Sequence, residues 1–240
     1  MTEPEVTVTP RPDAPLEEVL RVDAGSGFTP LEVGAQTKWA FYDWPERQLT
    51  NVSHTRIVGT MRYRGDECLE YLDHVIFPDH EQSLSRSLFV VAGETLRQVL
   101  FESRESETRG KMEEADATPE PLRLKLGLSW TGHEVYRCGS EERGAGEVHH
   151  GLVDGPFAVS VGAGRMLCLR ENLWSFGSDG TGHVLAELYV AENGRSIYFR
   201  RFNGPAWRNY GELAGCPERD HDGVRWRLWY ECLPDISLRR

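Results

Sequence analysis

The stretch from Leu188 to Phe199 decides the fold class: it reads Leu-Tyr-Val-Ala-Glu-Asn-Gly-Arg-Ser-Ile-Tyr-Phe. Each end of this stretch is rich in the aromatic and β-branched residues that favour strands. Between them, Asn193-Gly194 is typical of the tight turns that join two antiparallel strands. The sequence therefore predicts a β-hairpin at this point.

Short apolar runs of the same kind recur along most of the chain, separated by glycines and polar turn residues. This pattern is typical of antiparallel sheets. The fold class that we predict is mainly β, built as antiparallel sheets or half-barrels. The predicted strands are 39–42, 55–63, 68–71, 88–91, 96–101, 128–136, 146–152, 157–161, 166–174, 184–190, 197–202 and 224–230.

One helix is expected, near the N-terminus. Asp13-Ala14-Pro15 resembles a capped helix start with proline in the first turn. Leu16, Val19 and Leu20 then follow at helical spacing, before the glycines at 25 and 27. We predict a short helix of about two turns here.

Two parts of the chain resemble each other. Residues 30–39 and 121–130 both open with Pro-Leu and close with Trp, and Cys-Leu pairs at 68–69 and 168–169 follow in the same order. Such internal similarity predicts a duplication. The expected organisation is a flexible tail and short helix (1–28), a first β-rich half (29–105), a charged linker (106–120), a second β-rich half (121–203), and a C-terminal turn and closing strand (204–240).

The second half carries a family resemblance. Its matching pieces are Ala-Gly-Arg-Met-Leu-Cys-Leu-Arg at 163–170 and Leu-Tyr-Val-Ala-Glu-Asn-Gly at 188–194. Over residues 121–202 the chain resembles bacterial β-rich domains of the half-barrel, lipoprotein-carrier-like kind. The resemblance implies curved antiparallel sheets, in proteins that are mostly exported or lipid-anchored. This sequence departs from that pattern, since its first ten residues are acidic and lack an apolar run. We therefore expect a soluble, cytoplasmic protein.

Composition excludes several classes of function. The formal net charge of −11 disfavours a nucleic-acid partner, because phosphate contacts need a basic surface. No run approaches the 18 apolar residues of a membrane span. The five cysteines include no Cys-x-x-Cys motif, which favours reduced thiols over a disulfide framework.

No motif predicts a cofactor, a metal ion or a catalytic residue. His149 and His150 are neighbours that point to opposite faces if they lie in a strand, so they cannot hold one ion together. Asp220-His221-Asp222 fits a polar turn better than a metal site. We therefore predict a non-enzymatic binding or interaction module.

Aromatic side chains on predicted strands are the one feature that suggests a binding site. A concave half-barrel face lined by such rings would suit an apolar small molecule or a protein partner, although the same rings could simply fill the core. The candidate ligand-binding residues are Trp39, Phe41, Trp130, Trp174, Tyr189 and Tyr198.

Two other hypotheses stay open at this stage. A hydrolase-type enzyme would need scattered residues such as His54, His133 and Asp154 to converge in one cleft. A homodimer would instead use the C-terminal strand, where Val224, Trp226, Leu228 and Tyr230 alternate and are expected to share one face.

Overall fold

The computed structural model describes residues 5–24, 29–77, 82–103, 111–138, 141–162, 164–176 and 182–234. These residues are almost entirely antiparallel strand, so the predicted β fold class is confirmed. A short 3-10 helix spans Tyr210–Leu213, and no helix in the described ranges is long and apolar enough to cross a membrane. The strands are β1 (Val6–Pro10), β2 (Glu18–Leu20), β3 (Asp23–Ala24), β4 (Thr29–Pro30), β5 (Gln36–Asp43), β6 (Gln48–Tyr63), β7 (Asp66–Ile76), β8 (Gln82–Ala92), β9 (Thr95–Ser103), β10 (Lys111–Ala117), β11 (Glu120–Pro121), β12 (Arg123–Lys125), β13 (Ser129–Cys138), β14 (Glu141–Val161), β15 (Gly164–Phe176), β16 (Gly182–Ala191), β17 (Ser196–Asn203), β18 (Glu218–His221) and β19 (Val224–Pro234).

One large sheet contains most of these strands. Strands β5 to β9 pair in chain order, and β9 continues through β10 and β13 to β14. In the other direction β5 pairs with β19, which continues through β17 and β16 to β15. Because β14 also pairs with β15, the path returns to its start and the sheet curls into a ring.

The predicted hairpin is confirmed at β16 and β17. Gly194 adopts a positive φ of 80°, and its N–H donates to the Ala191 carbonyl at 2.8 Å. A Cβ at this position would lie 2.2 Å from the carbonyl oxygen of Leu20. Glycine is therefore required here both by the turn and by the close approach of the N-terminal segment.

Strand β19 joins the two sides of the ring, and its register corrects one prediction. Arg201 pairs with Tyr230 but Phe202 pairs with Leu228, so a bulge places Trp229 between them. An extra residue reverses the alternation. Tyr230 therefore packs in a different hydrophobic cluster from Leu228, and the expected single apolar face is wrong.

Both edges of β19 are occupied, which bears on the homodimer hypothesis. Cys232 pairs with Phe199 on one side and with Phe41 on the other. This part of the strand offers no free edge to a second copy. Residues 235–240 of the predicted closing segment lie outside the described ranges.

The N-terminal expectations are wrong over the described residues. Val6–Pro10, expected as part of a flexible tail, forms β1 and pairs with the end of β14. The predicted helix is instead strand β2, which pairs with β12. The physical reason is tertiary: Val19 and Leu124 are buried together in the core, and this pairing overrides a weak local helix signal. Residues 1–4 and 25–28 are not described.

The charged segment expected as a linker contains strand β10. It pairs with β9 on one edge and with β13 on the other, so the sheet runs through it without a break. Its acidic side chains are compensated by cations: Glu113 pairs with Arg64, and Glu114 lies 3.4 Å from Arg97. Residues 104–110 lie outside the described ranges. Duplication of the two halves stays a prediction.

Candidate functional site

A cavity of about 380 Å³ lies between two opposite walls of the ring. One wall is formed by β7, β8 and β9, and the other by β15, β16 and β17. These two groups of strands are not neighbours in the sheet, so the space between them is the interior of the ring. Its lining residues are Arg21, Tyr71, Asp73, Ser85, Ser87, Phe89, Leu96, Arg97, Gln98, Phe101, Ala117, Thr118, Glu120, Glu134, Glu171, Leu173, Ala186, Leu188 and Phe199.

Strand alternation explains which side chains face the cavity. On β8 these are Ser85, Ser87 and Phe89, and on β16 they are Ala186 and Leu188, each two residues apart. The same alternation sends the residues between them to the other face of the sheet.

The apolar part of the cavity is mostly aromatic and aliphatic. The rings of Tyr71 and Phe89 meet edge to face, with centroids 5.7 Å apart. Leu188 and Phe199 contribute from the opposite wall and belong to the main hydrophobic cluster. Burial raises the pKa of Tyr71, so its hydroxyl stays neutral.

A buried ion pair marks the polar part of the cavity. Arg21 donates to Glu171 at 2.8 Å and to Glu120 at 3.2 Å, and its side chain is only 2% exposed. Burial disfavours the charged guanidinium, but the carboxylates outweigh it and raise the Arg21 pKa. Burial also raises the Glu171 pKa, while the charge of Arg21 opposes this rise. The Arg21 Nε is buried without a hydrogen-bond partner among the described residues, which leaves one donor of the cavity wall unused.

Among the described residues, two further carboxylates of the lining have no guanidinium partner. The Ser53 hydroxyl donates to Asp73, and burial raises the pKa of Asp73. Glu134 lies 3.5 Å from Nε2 of His149, whose Nδ1 is 2.9 Å from the Ser175 hydroxyl. The cavity therefore combines aromatic surface with an excess of acidic groups.

The opposite face of the same wall is built differently. Glu187 is fully buried there, between Ala186 and Leu188 in sequence. Its carboxylate contacts three guanidinium groups, those of Arg170, Arg200 and Arg219. We call these four residues the Glu187 cluster.

The six aromatic residues predicted from the sequence are distributed over several places. Trp39 and Phe41 lie in the main hydrophobic cluster, behind Leu188 and Phe199 of the cavity wall. Tyr189 and Tyr198 stack with centroids 5.4 Å apart on the face of the Glu187 cluster. In that position the Tyr189 hydroxyl donates to Glu187 at 3.2 Å.

The two remaining tryptophans lie near β14. The indole of Trp130 covers Gly151, where an added Cβ would be 2.1 Å from Nε1. Trp174 stacks on His221 at 4.5 Å and packs in a separate cluster with Trp226. None of the six lines the cavity of the described ring, but Trp130 and Trp174 both line a second, more open pocket beside His221. Contact of the six with a ligand stays a prediction.

Two residues of the hydrolase hypothesis, His133 and Asp154, pair with residues other than one another. His133 lies 3.0 Å from Asp116 on an exposed surface. Asp154 accepts from Arg170 at 2.8 Å. Nearby cations and burial lower the pKa of His54, burial being the larger effect. Within the described ranges no group of three or more His, Cys, Asp or Glu side chains could hold a metal ion.

Sequence reasoning missed the residues that line the cavity. Tyr71, Phe89 and Phe101 line the cavity from strands that the apolar pattern predicts. These strands belong to the first half of the chain, whereas the family resemblance covers the second half. A usable signal was present in Tyr71-x-Asp73 and Ser85-x-Ser87-x-Phe89. Polar and aromatic residues that share one strand face are typical of a ring with a partly polar interior.

Comparisons with known proteins add little to this description. No protein-family model matches the chain, and no curated protein matches it significantly. Among solved structures the chain is similar to a crystal structure from Bacteroides fragilis, of a protein described as exported and as having a YmcC-like fold. The identity is 12% and the TM-score 0.39, with 88% of this chain and 98% of that chain covered. The lipoprotein-carrier-like resemblance stays a prediction.

Proposed function

We propose that this protein is a non-enzymatic binding module that holds a small, partly apolar molecule in the cavity of its ring. The observation that carries the proposal is the cavity of about 380 Å³ between opposite walls. Ligand pockets usually measure about 300–1,000 Å³ and combine apolar surface with a few polar groups.

Two features of the wall support this role. Tyr71, Phe89 and Leu188 supply apolar surface that gains from contact with a ligand rather than with water. Arg21 and Glu171 are held in place by their buried ion pair, so the polar part of the wall is already organised before a ligand arrives.

The test is to fill the cavity. Ala186 lines it from β16, and Ala186→Phe would place a ring in the space that the ligand needs. Binding of octanol, a small molecule with both apolar and polar parts, is measured by calorimetry on the wild type and the variant. We expect the wild type to bind and the variant to lose at least tenfold in affinity, since the added ring competes for the same volume.

Ala92→Phe is the matched control, because Ala92 is exposed at the end of β8 and does not line the cavity. It should bind like the wild type. Circular dichroism and urea unfolding establish that both variants are folded. Unchanged octanol affinity in a folded Ala186→Phe variant would overturn the proposal, and so would a wild type that binds neither octanol nor an octyl chain with a charged end.

A further inference from the structure

The balance of charge within the cavity indicates which class of molecule it accepts. Four carboxylates line it, from Asp73, Glu120, Glu134 and Glu171. Two guanidinium groups line it as well, from Arg21 and Arg97. The question is how much of that positive charge is available to a ligand.

The positive charge of Arg21 is already engaged by carboxylates of the protein. Its guanidinium is buried between Glu171 at 2.8 Å and Glu120 at 3.2 Å, and Asp23 adds a third negative charge nearby. One cation therefore serves several carboxyl groups, and Arg21 offers little further attraction to an anionic ligand.

Arg97 is engaged outside the lining. Its guanidinium lies 3.3 Å from Asp66 and 3.4 Å from Glu114, neither of which lines the cavity. The positive charge of Arg97 is thus already balanced by carboxylates other than those that face the ligand space.

Asp73 and Glu134 remain as acidic groups facing the space. Asp73 accepts from the neutral Ser53 hydroxyl, and Glu134 lies 3.5 Å from Nε2 of His149. Such an environment repels an anionic ligand, because like charges in a partly desolvated site disfavour one another.

The aromatic rings favour the same conclusion. Tyr71 lies two residues before Asp73 on β7, so the two side chains share the inner face, and Phe89 meets the Tyr71 ring edge to face. A carboxylate beside aromatic rings is the combination that attracts organic ammonium groups, through ion pairing and cation–π contact.

We propose that the ligand is an amphiphilic organic cation, an ammonium group carrying an alkyl or aryl chain, with the charge attracted by the acidic lining that includes Asp73 and Glu134 and the chain against Tyr71, Phe89 and Leu188. This inference rests on the proposed function and names the chemical class of its ligand.

The experiment compares three probes with the same chain length: octyltrimethylammonium, octanol and octanoate. Each is titrated calorimetrically into the full chain at pH 7.5, below the concentration at which the probe aggregates. We expect the ammonium to bind at least tenfold more tightly than octanol, and octanoate to bind most weakly.

Two variants locate the charge contact. Asp73→Asn and Glu134→Gln should each reduce the affinity for the ammonium about tenfold while leaving that for octanol unchanged. Glu67→Gln makes the same change of net charge at an exposed position of β7 and should alter neither affinity.

The outcomes separate the two proposals. Equal binding of all three probes, or preference for octanoate, overturns the charge inference and leaves the binding module in place. No binding of any probe overturns the proposed function itself. Loss of octanol binding in Asp73→Asn would show that the variant damages the cavity, and Glu134→Gln then decides: an unchanged ammonium affinity in that variant counts against the proposal.

Discussion

The two faces of β16 place buried charge in opposite settings. Glu187 is fully buried, and three guanidinium groups surround it. On the other face Ala186 and Leu188 border a cavity where carboxylates outnumber available cations. The difference teaches that a buried charge by itself does not mark a binding site. A binding site is marked by open volume together with a charged group that lacks a partner of opposite charge, because a ligand needs both the space and the group to pair with.

The largest effect on stability is expected from a substitution in the Glu187 cluster. Glu187→Gln removes the anion that Arg170, Arg200 and Arg219 share, and leaves three partly buried cations, of which Arg170 still pairs with Asp154. We expect the free energy of unfolding to fall by about 3–5 kcal/mol. Urea unfolding checks this. Glu192→Gln, at an exposed position just after β16, is the control and should change stability by less than about 0.5 kcal/mol. A similar small loss for Glu187→Gln would contradict the structural role of the cluster.

An intermediate effect is expected where the Trp130 indole covers a glycine of the ring wall. Gly151→Ala would place a Cβ 2.1 Å from the Trp130 indole and force that ring to move. Overpacking of this kind costs about 1–3 kcal/mol of unfolding free energy. Thermal unfolding and tryptophan fluorescence report the loss and the shift of Trp130. At Gly59 of β6 an added Cβ meets nothing within 4 Å, so Gly59→Ala should not destabilise the fold. Equal behaviour of the two variants would refute this packing.

The smallest effect concerns Asp73 of the cavity lining, and it appears as a pH dependence of the unfolding free energy. Burial raises the Asp73 pKa, although Ser53 and His74 oppose that rise. The folded state therefore binds the Asp73 proton more tightly than the unfolded state does. Its contribution to stability is present below the ordinary aspartate pKa of about 3.9 and is lost as pH rises through the raised folded value.

Asp73→Asn lacks this titration. Its unfolding free energy relative to the wild type should increase as pH rises from about 4 to 8, and the two proteins should converge at the acidic end. Urea midpoints at several pH values measure the difference. A gap that shrinks as pH rises would mean that Asp73 is stabilised as a carboxylate, and would count against an uncompensated acidic wall.

The strands were largely predictable from the sequence, because apolar alternation is a local property. The hairpin at Asn193-Gly194 is where the turn chemistry and the pattern agree most fully. The wrong predictions lie where the local conformation depends on pairing with a strand that is distant in sequence. Strand β2 depends on β12, and the bulge at Trp229 depends on how β19 pairs with β17. Neither partner is visible in a local window.

The candidate site was less accessible to sequence reasoning for a related reason. Arg21, Asp73 and Glu171 meet one cavity from three distant parts of the chain. Read separately, each is an ordinary charged residue. The tryptophans and tyrosines that stand out in composition mainly fill the core, as Trp39 does. Duplication of the two halves and a cytoplasmic location stay predictions.

The position of β19 has a consequence for how the chain is made. It is the last strand of the ring in sequence, yet it pairs with β5, the first, through Cys232 and Phe41. During synthesis the ring therefore stays open until β19 leaves the ribosome, with the edges of β5 and β17 unpaired meanwhile. Contacts this remote in sequence form slowly. A ribosome-bound or truncated chain is thus the species most exposed to aggregation, and the one that a chaperone would meet.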